Sequence, residues 1–332
     1  MSVRFAVLGA GRIGQVHAKA LHADKEAEFV AVADAYPEAA KAVAEEYQVE
    51  VRDIDTIANS DDIDAVVICT PTDMHADLIE QFAQAGKAVF CEKPIDLDVA
   101  RVRECLATVE ASKATLMVAF QRRFDPDFMA LKKHIMDGAI GDVEMVVLTS
   151  RDPAPPPIDY IKRSGGIFKD MAIHDLDVAR WLLEEPVTTV QAVASVMVDP
   201  AIADAGDFDT ANVILTTASG RQATINNSRR AGYGYDQRIE VFGSKGMVSA
   251  LNTHESRTVL ATAEGYTQPP LQDFFMTRYV QAYANEIAAF VQCVKTNSAP
   301  SPSGDDGLQS LILAEACLQS VKEQKVVHVD CR

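Results

Sequence analysis

The sequence predicts an α/β protein with two domains, the first built on a parallel sheet and the second an α+β domain with a large, mostly antiparallel open sheet. Three observations predict this architecture. Over residues 1–120, short apolar runs alternate with amphipathic segments, as in parallel sheets with right-handed crossovers. Over residues 121–332, β-like segments follow one another through short turns, which is typical of antiparallel sheets. In addition, a glycine-rich turn directly follows the first apolar run.

The elements of the first domain follow from the position of its apolar runs. Strands are predicted over 3–8, 28–33, 64–69, 87–91 and 115–119. Helices are predicted over 12–23, 37–47, 53–58, 73–85 and 97–112. Ligands of such sheets bind beyond the carboxyl ends of the strands. That rule brings Gly9, Asp34, Thr70-Pro71 and the segment Cys91–Pro94 to one rim of the sheet.

The glycine-rich turn after the first strand predicts a bound dinucleotide. It consists of Gly9, Gly11, Arg12, Ile13 and Gly14. Its three glycines permit a tight turn and a close approach of the backbone to a pyrophosphate, and the helix that follows presents free N–H groups to the phosphates. Because a strand precedes the turn and a helix follows it, the pattern indicates a Rossmann fold rather than an unrelated glycine turn.

The residue at the end of the second strand indicates which dinucleotide is bound. Asp34 lies twenty residues past Gly14, where a carboxylate binds the two hydroxyls of the adenosine ribose. A carboxylate also repels the 2′-phosphate of NADP, and no basic residue follows until Lys41. The sequence therefore predicts NAD as the cofactor.

The second domain begins with a change of pattern near residue 121. A helix is predicted over 125–137, a strand over 142–150 and a longer helix over 167–183, after the Gly165-Gly166 turn. Further strands are predicted over 187–198, 208–218, 221–230, 236–242 and 246–250, and helices over 277–295 and 304–323. One broad face of this sheet needs a cover, which favours a subunit interface and a homo-oligomer.

Composition excludes several classes of partner. A net charge of −17 argues against nucleic acid and anionic membranes. No apolar run has the length of a membrane span, and the first strand begins at Val3 without a signal peptide before it. The six cysteines are scattered without a Cys-x-x-Cys pair, so we expect reduced, mostly buried thiols. We therefore expect a cytoplasmic protein.

Lys93 is the first candidate for chemistry. It lies in Cys91-Glu92-Lys93-Pro94, at a predicted strand end on the cofactor rim. Pro94 stiffens the turn, and a lysine held there can donate a hydrogen bond to a developing alkoxide. The alternative is an ordinary surface lysine at a strand end.

The second candidate is the predicted helix over 167–183. Asp170, His174 and Asp177 recur at helical spacing and would share one face. An aspartate one turn before a histidine can fix the tautomer of the ring, and a histidine titrates in the range suited to taking a proton from an alcohol. The alternatives are a solvated acidic stripe with a satisfied histidine, and a divalent metal site. We expect no metal, because a base and a lysine suffice for alcohol oxidation with NAD.

Taken together, these motifs resemble those of the Gfo/Idh/MocA oxidoreductase family. The matching pieces are the glycine turn at 9–14, Cys69-Thr70-Pro71-Thr72, Glu92-Lys93-Pro94, and the glycine pair that leads to Asp170-x-x-x-His174-Asp175. The resemblance extends through Pro302–Leu308 near the end of the chain. The segments 122–126, 150–153, 159–166 and 234–240 are similar to those of the bacterial inositol 2-dehydrogenases within this family.

The resemblance implies a set of site residues. Lys93, Asp170 and His174 would form a catalytic triad. The polyol pocket would be lined by Lys93, Arg123, Asp152, Asp170, His174, Asp177 and Tyr235. Besides the glycine turn and Asp34, the neighbours of the cofactor would be Thr70, Pro71, His75, Glu92, Lys93 and Gln121. Gln121 departs from the asparagine that relatives carry there.

The resemblance also implies an activity: oxidation of myo-inositol to 2-keto-myo-inositol with hydride transfer to NAD, carried out by a homotetramer. Lys93 would donate to the reacting oxygen, and His174, oriented by Asp170, would take the proton; in some relatives the lysine is argued to carry it. Three alternatives stay open. They are a dehydrogenase of the same family that acts on another inositol isomer or a sugar, an NAD-dependent glycosidase that recycles the hydride, and a non-catalytic NAD-sensing regulator, which would need no lysine–histidine pair.

Overall fold

The structure, a computed structural model, describes residues 2–330 and divides the chain into two compact units. The first unit comprises the residues up to Asp125 together with Gln281–Leu311. The second comprises Pro126–Val280 together with the residues from Ile312 onward. The sequence predicts a first domain over residues 1–120 and a second over 121–332. In the structure, the segment Gln281–Leu311 belongs instead to the first unit. Cys331, one of the expected reduced cysteines, lies outside the described residues.

The first unit contains a parallel sheet of six strands within the described residues. They are β1 (Val3–Leu8), β2 (Ala27–Ala33), β3 (Glu50–Val51), β4 (Ala65–Ile68), β5 (Ala88–Glu92) and β6 (Leu116–Ala119). Their order is β3-β2-β1-β4-β5-β6, with every pairing parallel. The order reverses at β1, and dinucleotides bind at such a switch point. The parallel sheet predicted from the sequence is confirmed.

Helices connect these strands. They are α1 (Arg12–Ala23), α2 (Pro37–Tyr47), α3 (Ile54–Asn59), α4 (His75–Gln84) and α5 (Val99–Ser112), with a 3₁₀ turn at Thr72–Met74 and another at Gln121–Phe124. Their ends follow familiar chemistry. Asp98 caps α5 by accepting the backbone N–H groups of Ala100 and Arg101, and α2 begins with Pro37 at its first position.

The second unit contains a mixed sheet with helices packed on one side. Its elements up to residue 250 are α6 (Pro126–Met136), β7 (Val143–Arg151), α7 (Ile158–Ser164), α8 (Ile173–Leu183), β8 (Val187–Ser195), α9 (Pro200–Asp204), β9 (Thr210–Thr217), β10 (Gln222–Ser228), β11 (Asp236–Gly243) and β12 (Gly246–Ala250). The sequence does not signal the short helices α7 and α9. A π-helical turn, Ile167–Ala172, leads directly into α8.

The rest of the chain adds a small hairpin and the C-terminal helices. These elements are β13 (Leu260–Thr262), β14 (Gly265–Thr267), α10 (Phe275–Arg278), α11 (Val280–Thr296), α12 (Gly304–Glu323) and β15 (Val327–His328). Within the described residues, the large sheet has the order β12-β11-β7-β10-β9-β8-β15. Its pairings are antiparallel except that of β7 with β10, so the mostly antiparallel sheet is confirmed.

The two faces of β7 show why this sheet is open. Val146 and Leu148 are buried on the side on which α8 packs, whereas Met145 and Val147 are 48% and 42% exposed. An apolar face left uncovered in a single chain is a marker of an interaction surface.

Within the described residues, no helix is both long enough and apolar enough to span a membrane.

Candidate active site

The glycine turn after β1 has the geometry of a dinucleotide cradle. Gly9 has a φ of +100°, and a Cβ added to it would lie 2.5 Å from the carbonyl oxygen of Cys69. A Cβ on Gly14 would lie 1.9 Å from the carbonyl oxygen of Gly9. By contrast, a Cβ on Gly11 would meet nothing within 4 Å, and no side chain caps the N-terminus of α1 at this residue. Two glycines therefore close the turn, and the third leaves open space beside uncapped N–H groups, which fits a pyrophosphate.

Asp34 directly follows β2 and anchors the neighbouring backbone. Its Oδ2 accepts the N–H of Ala10 at 2.6 Å, and its Oδ1 accepts the N–H of Tyr36 at 2.7 Å. An ionised carboxylate offers about four acceptor sites, so these two bonds leave capacity for the hydroxyls of a ribose. The aspartate thus shapes the glycine turn as well as being available to NAD.

The loops after β4 and β5 are joined by His75. This residue is 2% exposed, and its Nδ1 and Nε2 each lie 2.8 Å from a carbonyl oxygen, that of Pro94 and that of Thr70 respectively. His75 therefore links the predicted cofactor residues at the two strand ends. The hydroxyl of Thr70 is buried without a hydrogen-bond partner among the described residues, as expected of a group that awaits a ligand.

Lys93 follows β5 directly and is partly buried, and the preceding residue, Glu92, has two buried ionisable residues near it. Glu92 Oε1 is 2.7 Å from Nε2 of His17, a fully buried histidine of α1. Glu286 of α11 is also fully buried, and neither of its carboxyl oxygens has a hydrogen-bond partner among the described residues. Burial raises the pKa of the Glu286 carboxyl well above its usual range, and the charge of Glu92 raises it further. Sequence reasoning missed His17 and Glu286, because no local pattern marks them.

The two residues predicted after β6 are buried in the first unit. Gln121 and Arg123 are 5% and 8% exposed, in the 3₁₀ turn that follows the strand. Arg123 Nη2 donates to Asp306 Oδ1 at 2.8 Å. The carboxylate of Asp306 also accepts the backbone N–H of Ser303 at 2.8 Å. Arg123, predicted to line the polyol pocket, thus carries an ion pair with α12.

In the second unit, the predicted helix over 167–183 forms, and its first six residues are π-helical. Asp170 lies in the π turn, and His174 lies one residue into α8. A π turn holds an extra residue, so the spacing of these two side chains differs from the α-helical spacing assumed from the sequence. Asp170 Oδ1 accepts the hydroxyl of Tyr160 at 2.9 Å. Single π turns of this kind recur at functional sites in proteins.

The acidic residues further along α8 are buried in the second unit. Asp177 is fully buried, and Asp175 is 1% exposed. Asp175 Oδ2 accepts the side-chain amide of Asn227 on β10 at 2.8 Å. These two aspartates of α8 are buried, so the alternative of a solvated acidic stripe does not describe this helix. A buried carboxylate is costly unless it is hydrogen-bonded, as Asp175 is.

The remaining predicted substrate residues of this unit lie at strand ends. Asp152 directly follows β7, and its backbone N–H donates to the carbonyl oxygen of Ser228 at 2.9 Å. Tyr235 is 6% exposed and meets Tyr279 edge-to-face, with the ring centroids 6.1 Å apart. Burial against aromatic rings fixes the orientation of Tyr235.

Within residues 2–330, no three or more His, Cys, Asp or Glu side chains lie together in an arrangement that could hold a metal ion. In the first unit, the glycine turn, Asp34, Thr70 and Lys93 all lie at the carboxyl ends of parallel strands. In the second, Asp170 and His174 share one continuous helical segment.

Comparisons with known proteins agree with this architecture over nearly the whole chain. Residues 3–120 match the GFO/IDH/MocA oxidoreductase family, NAD-binding Rossmann fold, and residues 128–249 match the GFO/IDH/MocA C-terminal domain. The chain is 62% identical over 329 residues to inositol 2-dehydrogenase from Rhizobium meliloti (strain 1021), covering 99% of this chain and 100% of the relative.

Solved structures of inositol dehydrogenases are also similar to this chain over nearly its full length. The crystal structure of a myo-inositol dehydrogenase from Corynebacterium glutamicum ATCC 13032 matches with a TM-score of 0.96 and 41% identity, over 99% of each chain. A scyllo-inositol dehydrogenase from Lactobacillus casei, crystallised with NAD(H) and scyllo-inositol, matches with a TM-score of 0.92 and 29% identity, also over 99% of each chain.

Proposed function

The chain belongs to the Gfo/Idh/MocA family of oxidoreductases, whose N-terminal domain is an NAD-binding Rossmann fold, and on this premise we propose that it is an NAD-dependent inositol 2-dehydrogenase. Its reaction would be the oxidation of myo-inositol to 2-keto-myo-inositol. The observation that carries the proposal is the 62% identity, over nearly the full length of both chains, to an inositol 2-dehydrogenase. The glycine cradle and Asp34 supply the matching cofactor site.

NAD, when bound, accepts the hydride from the carbon that carries the reacting hydroxyl. The residues of the chain have to bind the polyol and handle the proton of that hydroxyl. We propose that Lys93 donates a hydrogen bond to the reacting oxygen and that His174 takes its proton. Asp170 would hold the imidazole in the required tautomer and stabilise its charged form, as a carboxylate beside a catalytic histidine does.

The remaining predicted residues would recognise the other hydroxyls of the ring. A polyol offers many hydrogen-bonding groups and little apolar surface, so a pocket for it needs charged and amide side chains. Asp152, Asp177 and Arg123 are of this type, and Tyr235 supplies a flat wall with a hydroxyl. Gln121 would neighbour the cofactor.

A second substrate has support of its own. The scyllo-inositol dehydrogenase from Lactobacillus casei aligns with this chain over 99% of its length. The two isomers differ only in the orientation of one hydroxyl, so a substrate panel has to contain both. Steady-state NADH formation with myo-inositol, scyllo-inositol, other inositol isomers and hexoses measures the preference directly. We expect the highest kcat/KM for myo-inositol; release of a sugar without net NADH would instead indicate a glycosidase.

The roles of Lys93 and His174 are tested by Lys93→Met and His174→Gln. Each is expected to lower kcat by roughly 10²- to 10⁴-fold, since a positioned acid or base contributes about that much. NADH binding, followed by fluorescence, should stay within about threefold of the native value, because the glycine turn and Asp34 are intact.

The matched controls for this experiment are Lys25→Met and His134→Gln, both at exposed positions, which should leave kcat unchanged. If His174→Gln kept the native kcat across the whole pH range, the assignment of the base would be wrong. The same result for Lys93→Met would remove the lysine from the mechanism.

We also propose that the protein works in the cytoplasm, in myo-inositol catabolism, as a homotetramer. The exposed apolar face of the large sheet supports an assembly of identical chains. Met145, Phe242 and Met247 lie opposite one another on β7, β11 and β12, and they are 48%, 41% and 51% exposed. A continuous apolar row of this kind is suited to burial against a second copy.

A further inference from the structure

A buried arginine lies between two aspartates in the second unit. Arg229 follows β10 directly and is 1% exposed. Its Nη2 is 3.6 Å from Asp170 Oδ2 and 3.7 Å from Asp207 Oδ2. A guanidinium keeps its proton at any pH that a protein meets, so its charge at this depth has to be balanced by carboxylates. Arg229 and Asp170 are 59 positions apart in the sequence, and their proximity is a product of the fold.

The two aspartates beside Arg229 differ in what else they contact. Asp207 Oδ1 accepts the backbone N–H of Ile167 at 3.0 Å, at the first residue of the π turn. A Cβ on Gly166 would lie 2.4 Å from the same oxygen, so the chain passes tightly against Asp207 here. Burial raises the pKa of the Asp207 carboxyl. The surroundings of Asp207 therefore disfavour its anionic form, and its hydrogen bond to Ile167 anchors the start of the turn.

Asp170 is held on two sides by different elements. Tyr160 of α7 donates to Oδ1 at 2.9 Å, and the guanidinium of Arg229 lies on the side of Oδ2. Among the described residues, Arg229 Nη2 makes no hydrogen bond, so the arginine acts on the Asp170 carboxylate through its charge, while the hydroxyl of Tyr160 supplies the directed contact. The backbone N–H of Arg229 donates to the carbonyl oxygen of Asp209 at 2.8 Å, which fixes the backbone from which the guanidinium extends.

Resting on the role proposed for Asp170, we propose that Arg229 is a positioning residue for the oxidation: it fixes the orientation of the Asp170 carboxylate that serves His174. Under this proposal the arginine touches neither substrate nor cofactor, and its effect on the reaction passes through Asp170. A misplacement of a reacting group by about 1 Å can cost on the order of 10²-fold in rate. A loss of this positioning should therefore appear in kcat.

The test is a double-mutant cycle of Arg229→Met with Asp170→Asn, measured as kcat and KM for both substrates. In the native background, Arg229→Met is expected to lower kcat by roughly ten- to a hundredfold. The KM for NAD should be unchanged, because the glycine turn and Asp34 belong to the first unit. In the Asp170→Asn background, the same substitution should change kcat by less than about twofold. Residues that act in one network show this non-additivity.

The neighbouring residue provides the matched control. Arg230 is exposed, and Arg230→Met should leave kcat at the native value. Arg229→Lys keeps the positive charge but has a shorter side chain. This variant replaces Arg229→Met in the cycle if Arg229→Met does not fold. Its expected loss of kcat is smaller, and that loss too should vanish beside Asp170→Asn.

The outcomes separate the inference from the function on which it rests. If Asp170→Asn lowers kcat while Arg229→Met and Arg229→Lys both keep the native value, the positioning role is overturned and the proposed function stands. Additive losses in the double variant would show that Arg229 affects kcat independently of Asp170, which also overturns the inference. If Asp170→Asn itself retains native kcat, the proposed role of Asp170 fails, and the inference fails with it.

Discussion

At the scale of single residues, Glu286 is a buried carboxyl group in the first unit with a raised pKa. It is fully buried on α11 beneath Glu92, and neither of its oxygens has a hydrogen-bond partner among the described residues. Its raised pKa means that the folded protein keeps this proton at pH values at which the unfolded chain, whose glutamate carboxyl has an ordinary pKa of 4.5, has lost it. The folded state therefore binds more protons than the unfolded state above that pH, and its stability falls as the pH rises.

Glu286→Gln should remove this pH dependence, because the amide matches a neutral carboxyl in shape and does not ionise. Relative to the variant, the native protein should lose roughly 1 kcal/mol of unfolding free energy for each pH unit above about 5, until the folded-state pKa is reached. Urea unfolding at pH 4 to 9 measures the difference, with the exposed Glu38→Gln as control. A difference between native protein and variant that is constant with pH would contradict a protonated Glu286.

Residues whose roles are local could be predicted from the sequence, and residues whose roles depend on distant partners could not. Gly9, Gly11 and Asp34 could be proposed as cofactor residues because the turn and the acid lie at fixed offsets from a strand. His17 and its partner Glu92 are 75 positions apart, and Arg229 reads in the sequence as a basic residue at a strand end. Only the fold shows that these groups are buried against charges.

At the scale of elements, the apolar pattern predicted the helix over 167–183 but not its π-helical start. A single π turn shifts the helical period by one residue at one place only. The apolar periodicity of the whole segment is therefore almost the same as that of a regular α-helix, and it does not reveal the turn. The exposed hairpin of β13 and β14 was missed for a related reason: no side chain in it is buried, so no alternation marks it. Apart from the two-residue strands β3 and β15, which the sequence did not predict, the strands of the two large sheets were predicted to within about three residues.

The helix α11 completes the core of the first unit, which explains why Gln281–Leu311 clusters with it. Phe290 is fully buried, with its ring centroid 6.0 Å from that of Phe5 on β1 and 5.5 Å from that of Phe90 on β5. The sequence shows an amphipathic helix here but not which sheet it covers. The contact of α11 with β1 and β5 joins residues far apart in the sequence, and a local sequence pattern cannot predict such a contact.

Phe290→Ala should destabilise the first unit by about 3–5 kcal/mol, the usual cost of removing a buried aromatic ring. The loss should appear as a lower urea midpoint and as weaker NAD binding at elevated temperature. Val280→Ala, at an exposed position of the same helix, should change the unfolding free energy by less than about 0.5 kcal/mol. An equal effect of the two substitutions would show that α11 does not support the sheet.

At the scale of the whole molecule, the uncovered sheet face determines the expected assembly. Phe242→Glu places a charge in the centre of the row with Met145 and Met247, where burial of an unpaired carboxylate is costly. The native protein should have the mass of four chains by light scattering, and the variant should have a lower mass. The control Val51→Glu, also at an exposed apolar position but on β3, should leave the mass unchanged. A monomeric native protein would contradict the proposed tetramer.

The measurement that tests the proposed function most directly is NADH formation by the purified native protein with NAD and myo-inositol. Its absorbance should rise only when both are present, with one NADH formed for each 2-keto-myo-inositol, and it should rise far more slowly with Lys93→Met or His174→Gln. An absence of NADH with myo-inositol, scyllo-inositol and every other inositol isomer, from protein that binds NAD, would contradict the proposal.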